Sequence, residues 1–357
     1  LTIDQVKKAA FQFGFDPTEK TVVQSLGNGL INYTYTVSDP SVAKAMVLQA
    51  INRHVFSRPE DILHNYKMVY DCLKSEGSSI TIPSPLSAAT GHLYWVDDQD
   101  NCWRACEFIG DSYSPSTAAD QDAAYTVANC FAKFTSALSV LKIRQLREII
   151  PGFHNLAFRY TQFEEAIAKA SITQLLRSTH VIAELRGKKK LVDFYESMQG
   201  SLQYPDRVMH HDCKISNILF DKKTNSVICP VDLDTVMPGK FFSDPGDMIR
   251  SMACTVDENA TSWEEINIRP PFYKAILEGY LEGIGGIFTG EEKANIHYAG
   301  LLMTFMQSLR FAADFLNGDV YYKIQYPEQN LNRALNQLIL LEKLETFLEA
   351  EYGFTPY

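Results

Sequence analysis

Near residue 110 the apolar pattern changes period, which restricts the chain to a sheet followed by helices. Upstream, Ile31, Tyr33, Tyr35 and Val37 alternate with Asn32, Thr34 and Thr36, the two-residue period of a half-buried strand. Thr21-Val22-Val23 precedes this run across Gly27-Asn28-Gly29, so the pair reads as a β-hairpin with a glycine-bearing tip. Residues 45–51 form a further strand, and Pro59 opens an amphipathic helix through Ile62, Leu63, Tyr66, Val69 and Leu73. The runs 92–96 and 103–109 are strand candidates around the polar turn 97–101. Thr2 and Gln5 have capping-box spacing for a short opening helix. Beyond the loop cluster 110–116 the period is helical, and helices are expected over 119–138, 157–186, 190–200, 262–283, 290–316 and 329–351. The expected class is α+β, with residues 1–110 as an antiparallel sheet carrying one helix and residues 111–357 as a helical domain.

Composition narrows the function classes. With 46% hydrophobic and 21% charged residues, the 357-residue chain has the make-up of a folded globular protein. Its net charge of −10 repels polyanions and anionic lipid, so neither a nucleic acid nor a membrane is the expected partner. A small phosphate compound is still compatible, because a metal ion and a few local donors set the field inside a cleft. The seven cysteines are odd in number and include no Cys-x-x-Cys, which speaks against a disulfide framework or a zinc ribbon. Residues 1–15 carry Lys7 and Lys8 among alternating apolar positions, unlike a signal peptide, and no apolar run reaches the roughly 18 residues of a membrane span. The expected setting is a reduced cytoplasm.

Inside the helical part lies an irregular island of short β-type runs and polar loops over residues 207–231. It reads His210-His211-Asp212-Cys213-Lys214-Ile215-Ser216-Asn217, then a hairpin through Asp221 to Ser226, then Val231-Asp232-Leu233-Asp234. Such a hairpin brings Asp212, Asn217 and Asp232 to one mouth. This set suits phosphoryl transfer: one carboxylate orients an acceptor hydroxyl and takes its proton, while an amide oxygen and a second carboxylate hold Mg²⁺ against nucleotide phosphates.

These residues resemble the aminoglycoside phosphotransferase and choline kinase-like family of small-molecule kinases. Its catalytic loop usually reads His-Gly-Asp with Asn five residues on, followed by a metal-binding Asp after the next hairpin; His211 stands where that glycine normally sits. Four further stretches look like the N-acetylhexosamine 1-kinase branch: Asn28-Gly29-Leu30-Ile31-Asn32, Leu48-Gln49-Ala50-Ile51-Asn52, Asp232 through Gly239, and Arg310 through Tyr322. The resemblance implies a protein-kinase-like two-lobed fold using ATP and Mg²⁺. It casts Gly27, Asn28 and Gly29 as the loop over the phosphates and Glu107, Phe108 and Ile109 as the hinge for adenine. Asp212 becomes the catalytic base, Asn217 and Asp232 the metal ligands, and Asp234 a second metal ligand or a sugar contact. His210 braces the loop by packing, Asp244 or Asp247 anchors it from the next helix, and Arg310 and Tyr321 hold the sugar.

Protein kinases carry a phosphate-binding Lys on the third strand, paired with a Glu on the following helix; here Gln49 occupies the matching place. Glutamine supplies no charge, so phosphate neutralisation is expected to lean on Mg²⁺, Arg53 or Lys44. The rivals are a kinase for another small alcohol (choline, ethanolamine, an aminoglycoside, homoserine) and a non-catalytic nucleotide-binding regulator.

Overall fold

The structure, a computed structural model, describes residues 1–26 and 31–356. In chain order its elements are α1 (Ile3–Gln12), β1 (Val22–Ser25), β2 (Tyr33–Asp39), β3 (Lys44–Ile51), α2 (Pro59–Ser75), β4 (Pro85–Leu86), β5 (Trp95–Val96), β6 (Cys102–Glu107) and β7 (Ser112–Tyr113). Next come α3 (Gln121–Ala137), α4 (Leu156–Lys169), α5 (Ile172–Gly187), α6 (Lys190–Ser197), β8 (Arg207–Met209), β9 (Ile218–Asp221) and β10 (Val227–Pro230). The last third holds α7 (Ser243–Met252), α8 (Pro270–Ile284), α9 (Gly290–Ala294), α10 (Tyr298–Leu316) and α11 (Gln329–Tyr352). The class is α+β, an antiparallel sheet followed by helices. The chain forms two compact units: unit 1 comprises Leu1–Ser114, Val140–Ile150 and Ile218–Met237, and unit 2 comprises Pro115–Ser139, Pro151–Asn217 and Pro238–Tyr357.

In unit 1 the main sheet has the order β1-β2-β3-β6-β4, with β5 also pairing β6. Its period-two pattern gives two chemically different faces. One face sets Val37, Met46, Leu48, Ala50, Trp103 and Ala105 against Val6, Ala9 and Ala10 of α1 and against Phe13 and Phe15. On the other, Ile51 and Cys102 pack with Phe56 and Ile62. The register there aligns Thr34 with Gln49 and Gln49 with Arg104, so these three polar side chains form one row across β2, β3 and β6. Strands β7, β9 and β10 make a second antiparallel sheet in the order β10-β9-β7. The β9–β10 turn is braced by the Asp221 carboxylate, which accepts from the backbone N–H of Lys223 and of Thr224, each at 2.8 Å.

Unit 2 is built around α10, almost every residue of which is buried, as expected for a helix that is apolar all round. Helices α3 and α8 pack closely because Gly279 and Gly283 face α3: a Cβ added at Gly279 falls 2.3 Å from the Tyr125 carbonyl oxygen, and one at Gly283 falls 2.5 Å from that of Asn129. Among the described residues no helix is long and apolar enough to cross a membrane.

Several element boundaries differ from the periodicity reading, each for a local reason. The single helix expected over 157–186 is two, because Ser171 and Gln174 form a capping box that starts α5 after the extended Ala170. The helix expected from 262 starts at Pro270, whose fixed φ suits a first helical position. The 290–316 span divides into α9 and α10, with Thr289 and Glu292 capping the first. Of the strand expected over 92–96 only Trp95–Val96 pairs, because His92 closes a turn at Gly91 (φ +81°) by accepting from the Ala88 N–H at 2.7 Å.

Candidate active site

In unit 2 the loop after β8 carries His210, His211 and Asp212. His211 has φ +67°, a left-handed conformation costly for a side-chain-bearing residue, which explains why glycine suits this place. The buried Asp244 carboxylate at the start of α7 fixes the loop backbone, accepting from the N–H of His210 at 3.0 Å and of His211 at 2.8 Å. Burial pushes the Asp244 carboxyl above its ordinary value against the pull of those donors. The His210 ring lies edge-on to Phe131 and Phe134 of α3, at 5.0 and 6.0 Å between centroids. The His211 Nδ1 lies 2.6 Å from Ser243 Oγ and 3.1 Å from His154 Nδ1. Its Cε1 is 2.4 Å from where a Cβ on Gly239 would stand, so the ring fits only above a glycine. Burial and then the cationic neighbours, His211 first, push the His154 imidazole well below its usual range, keeping it neutral.

Asp212 is about a third exposed, 31%. Its Oδ2 accepts from Lys214 Nζ at 2.9 Å and from Asn217 Nδ2 at 2.9 Å, and the same amide also donates to the Asp212 carbonyl at 2.9 Å. Burial alone raises the Asp212 carboxyl, but Lys214, His210 and the Asn217 amide outweigh it and hold it below its ordinary value. It is thus a carboxylate at neutral pH, oriented by a side chain five residues on. Because the Asn217 nitrogen is spent on Asp212, its amide oxygen is the atom left for a cation. Asp247 lies one helical turn below Asp244 and pairs with Arg250 at 3.0 Å. Burial first, and the negative Asp212 among the other charges, keep the Asp247 carboxyl raised. Cys213 is buried and its thiol is pushed well up by burial, so it serves packing.

In unit 1 the chain leaves β10 into a tight turn in which Asp232 is exposed with φ +61°, while Asp234 is buried. The Asp234 carboxylate faces the polar row of the sheet. Arg104 Nη2 lies 2.5 Å from its Oδ1, and Asn32 Nδ2 donates to its Oδ2 at 2.6 Å. Arg104 Nε donates to Gln49 Oε1 at 2.8 Å, and Gln49 Nε2 donates to Thr34 Oγ1 at 2.9 Å. Asn32 in turn accepts from the Asn52 N–H at 2.9 Å. From α2, the buried Asn65 donates to the carbonyls of Val236 and Arg147 at 2.9 and 2.8 Å and accepts from the Arg147 N–H at 2.8 Å. Three of the four stretches that carried the N-acetylhexosamine 1-kinase resemblance therefore meet in one hydrogen-bonded network.

Gln49 thus has its amide engaged at both ends. Of the two cationic side chains expected, beside Mg²⁺, to compensate for it, Lys44 bonds the Gly14 carbonyl and Arg53 pairs with Asp100 at 2.5 Å. The cation beside Gln49 is Arg104, which the sequence reading missed. Its signal was available: one Arg in the strand Cys102-Trp103-Arg104-Ala105-Cys106 needs a buried carboxylate partner. In the hinge stretch, the Glu107 N–H donates to the Ser84 carbonyl at 2.9 Å and Ile109 accepts from Ser112 Oγ at 2.6 Å, while Phe108 is exposed. The proposed phosphate loop, Gly27, Asn28 and Gly29, lies outside the described residues.

The acceptor candidates lie in unit 2. Arg310 on α10 stacks over Phe153 at 5.1 Å and Tyr322 at 5.6 Å. Tyr321 is exposed beside Tyr322, their rings 4.7 Å apart. Asp314, at ion-pair spacing from Arg310 in sequence, serves the loop instead. Its carboxylate accepts from the N–H of Val320, Tyr321 and Tyr322 at 3.1, 2.8 and 2.9 Å and from Asn330 Nδ2 at 2.9 Å. Arg159, also absent from the sequence reading, lies near Arg310; burial and that like charge lower its pKa to about 10.

Residues 22–290 match the model of the APH family, described as a phosphotransferase enzyme family. The chain belongs to that family. Among solved structures, it is similar to an aminoglycoside phosphotransferase from Alicyclobacillus acidocaldarius, with TM-score 0.61 and 14% identity over 98% of this chain and 95% of that one. Spectinomycin phosphotransferase in complex with ADP and spectinomycin gives 0.60 at 14% identity, covering 97% and 99%. Plasmodium vivax ethanolamine kinase gives 0.56 at 16% identity, covering 91% and 85%. At these identities the likeness shows a shared fold. The chain is thus a member of a phosphotransferase enzyme family and shares its fold with an aminoglycoside phosphotransferase and an ethanolamine kinase.

Proposed function

We propose that this phosphotransferase is an ATP- and Mg²⁺-dependent kinase acting on the anomeric hydroxyl of an N-acetylhexosamine. The acceptor oxygen attacks the γ-phosphorus in line, its proton passes to Asp212, and the β–γ bridging oxygen leaves with the bonding pair as ADP. Asp212 suits the base role because Lys214 and Asn217 keep it ionised and aimed. Asn217 and Asp232 offer the hard oxygens that Mg²⁺ takes alongside phosphate and water. When bound, that ion neutralises charge developing on the transferred group.

One observation supports a sugar over a cationic amino alcohol. Arg310 and Arg159 lie beside Tyr321 and Tyr322, with part of their donors spent on Gln307, Gln162 and the Phe153 carbonyl, and Asp314 is consumed by three backbone amides and Asn330. An ammonium substrate meets like charge there, whereas hydroxyl and acetamide oxygens accept from a guanidinium fork, and a sugar face packs on Tyr321. The test is ADP release from Mg·ATP with N-acetylglucosamine, N-acetylgalactosamine, their 1-O-methyl glycosides, free hexoses, choline and ethanolamine. Turnover with a free N-acetylhexosamine that vanishes for its methyl glycoside is expected. Turnover with choline or ethanolamine alone contradicts the sugar reading, and Mg·ATP binding without turnover of any acceptor points to a nucleotide-binding regulator.

A further inference from the structure

Arg104 is 5% exposed, on an inner strand, in a sheet whose matching kinase position holds a neutral glutamine. A guanidinium is kept there only if partners offset its desolvation. Those partners are placed by two independent geometries. The strand register puts Gln49 directly opposite, where it takes Nε. The turn after β10 puts Asp234 against Nη2. Asp234 is in turn held by Asn32, whose side-chain amide oxygen accepts from the Asn52 N–H just beyond β3. The exposed Asp232 lies two residues before Asp234 in a left-handed conformation, uncommon for a residue that carries a side chain. Glu60 and Asp61, at the start of α2, instead engage Arg58, and Asp61 also pairs with Arg147.

We infer that Arg104 is the positioning residue of the metal-side turn: through the relay Gln49–Arg104–Asp234 it fixes Asp232 to meet Mg²⁺. The sheet thus keeps its cation but moves it one strand over, and glutamine becomes the side chain that orients it. Asp234 acts on the metal through the turn it pins. This rests on the reading that Asp232 is a metal ligand. Side chains that orient a ligand without touching the metal typically contribute about 10- to 100-fold in metal affinity.

The test is equilibrium binding of ADP with and without Mg²⁺, alongside thermal unfolding, for wild type, Arg104→Lys and the double variant Arg104→Met with Asp234→Leu. The double variant removes both charges together, so that neither is left buried and unpaired. The expected result is a double variant that unfolds cooperatively but binds Mg·ADP about tenfold more weakly or worse, with metal-free ADP binding unchanged. Arg104→Lys keeps the charge but loses the fork; it should raise the KM for Mg·ATP while leaving the acceptor KM at the wild-type value. Wild-type Mg·ADP affinity in a folded double variant, or wild-type kinetics in Arg104→Lys, overturns the inference. Failure of the wild-type protein itself to bind Mg·ADP overturns the nucleotide reading first, so the two failures are distinguishable.

Discussion

The Asp212 loop of unit 2 and the Asp232 turn of unit 1 face the same physical problem, holding a carboxylate at a defined angle on irregular backbone. Each contains a residue in the left-handed region, His211 at φ +67° and Asp232 at φ +61°. A second, fully buried aspartate pins each one. In unit 2 that aspartate is Asp244, which spends its charge on the two backbone amides of His210 and His211. In unit 1 it is Asp234, which spends its charge on the guanidinium of Arg104. The first device fixes backbone directly and needs no second charge. The second ties a turn to a sheet and requires a matching cation in the strand, so it can be neutralised as a pair.

Four perturbations separate the two loops. The largest effect is expected at the reacting group: Asp212→Asn lowers kcat by about 10²–10⁴-fold, the usual contribution of a general base, with Mg·ADP affinity unchanged by calorimetric titration. A variant retaining wild-type kcat breaks the assignment of the base to unit 2. Next comes the anchor. Asp244→Ala leaves two buried N–H groups without an acceptor, at about 1–3 kcal/mol each, read by denaturant unfolding. Arg104→Met costs about 3–5 kcal/mol by stranding Asp234, and adding Asp234→Leu recovers part of that loss. An Asp244→Ala variant as stable as wild type would show that its two amide bonds do not hold the loop. The smallest effect tests backbone strain: His211→Gly should be more stable than His211→Ala by about 1 kcal/mol, since only glycine tolerates φ +67° at no steric cost. Equal unfolding midpoints of the two variants would remove the strain argument.

The contrast also explains what the sequence could disclose. The Asp212 loop is local: Asp212 and Asn217 are five residues apart, and their hydrogen bond follows from that spacing. Its anchor, Asp244, lies at the start of the next helix, within reach of motif reading. The unit 1 device is assembled from Asn32, Gln49, Arg104 and Asp234, which no sequence period links; only the strand register places Arg104 opposite Gln49. Sequence reading therefore takes Gln49 as a missing charge and looks to Mg²⁺, Arg53 or Lys44, of which the two side chains are engaged elsewhere. The α+β order was legible from the change of apolar period, whereas helix breaks at Ser171 and Pro270 depend on single capping residues that a periodicity window averages away.

The central claim is that Asp212 delivers an acceptor hydroxyl of a sugar, at its anomeric carbon, to the γ-phosphate of ATP. Phosphorus NMR of a reaction containing Mg·ATP and an N-acetylhexosamine tests it most directly. The account predicts a new phosphate-ester resonance coupled to the single anomeric proton, appearing with ADP and absent with Asp212→Asn. A phosphate ester at another hydroxyl, or ADP accompanied only by inorganic phosphate, would contradict it.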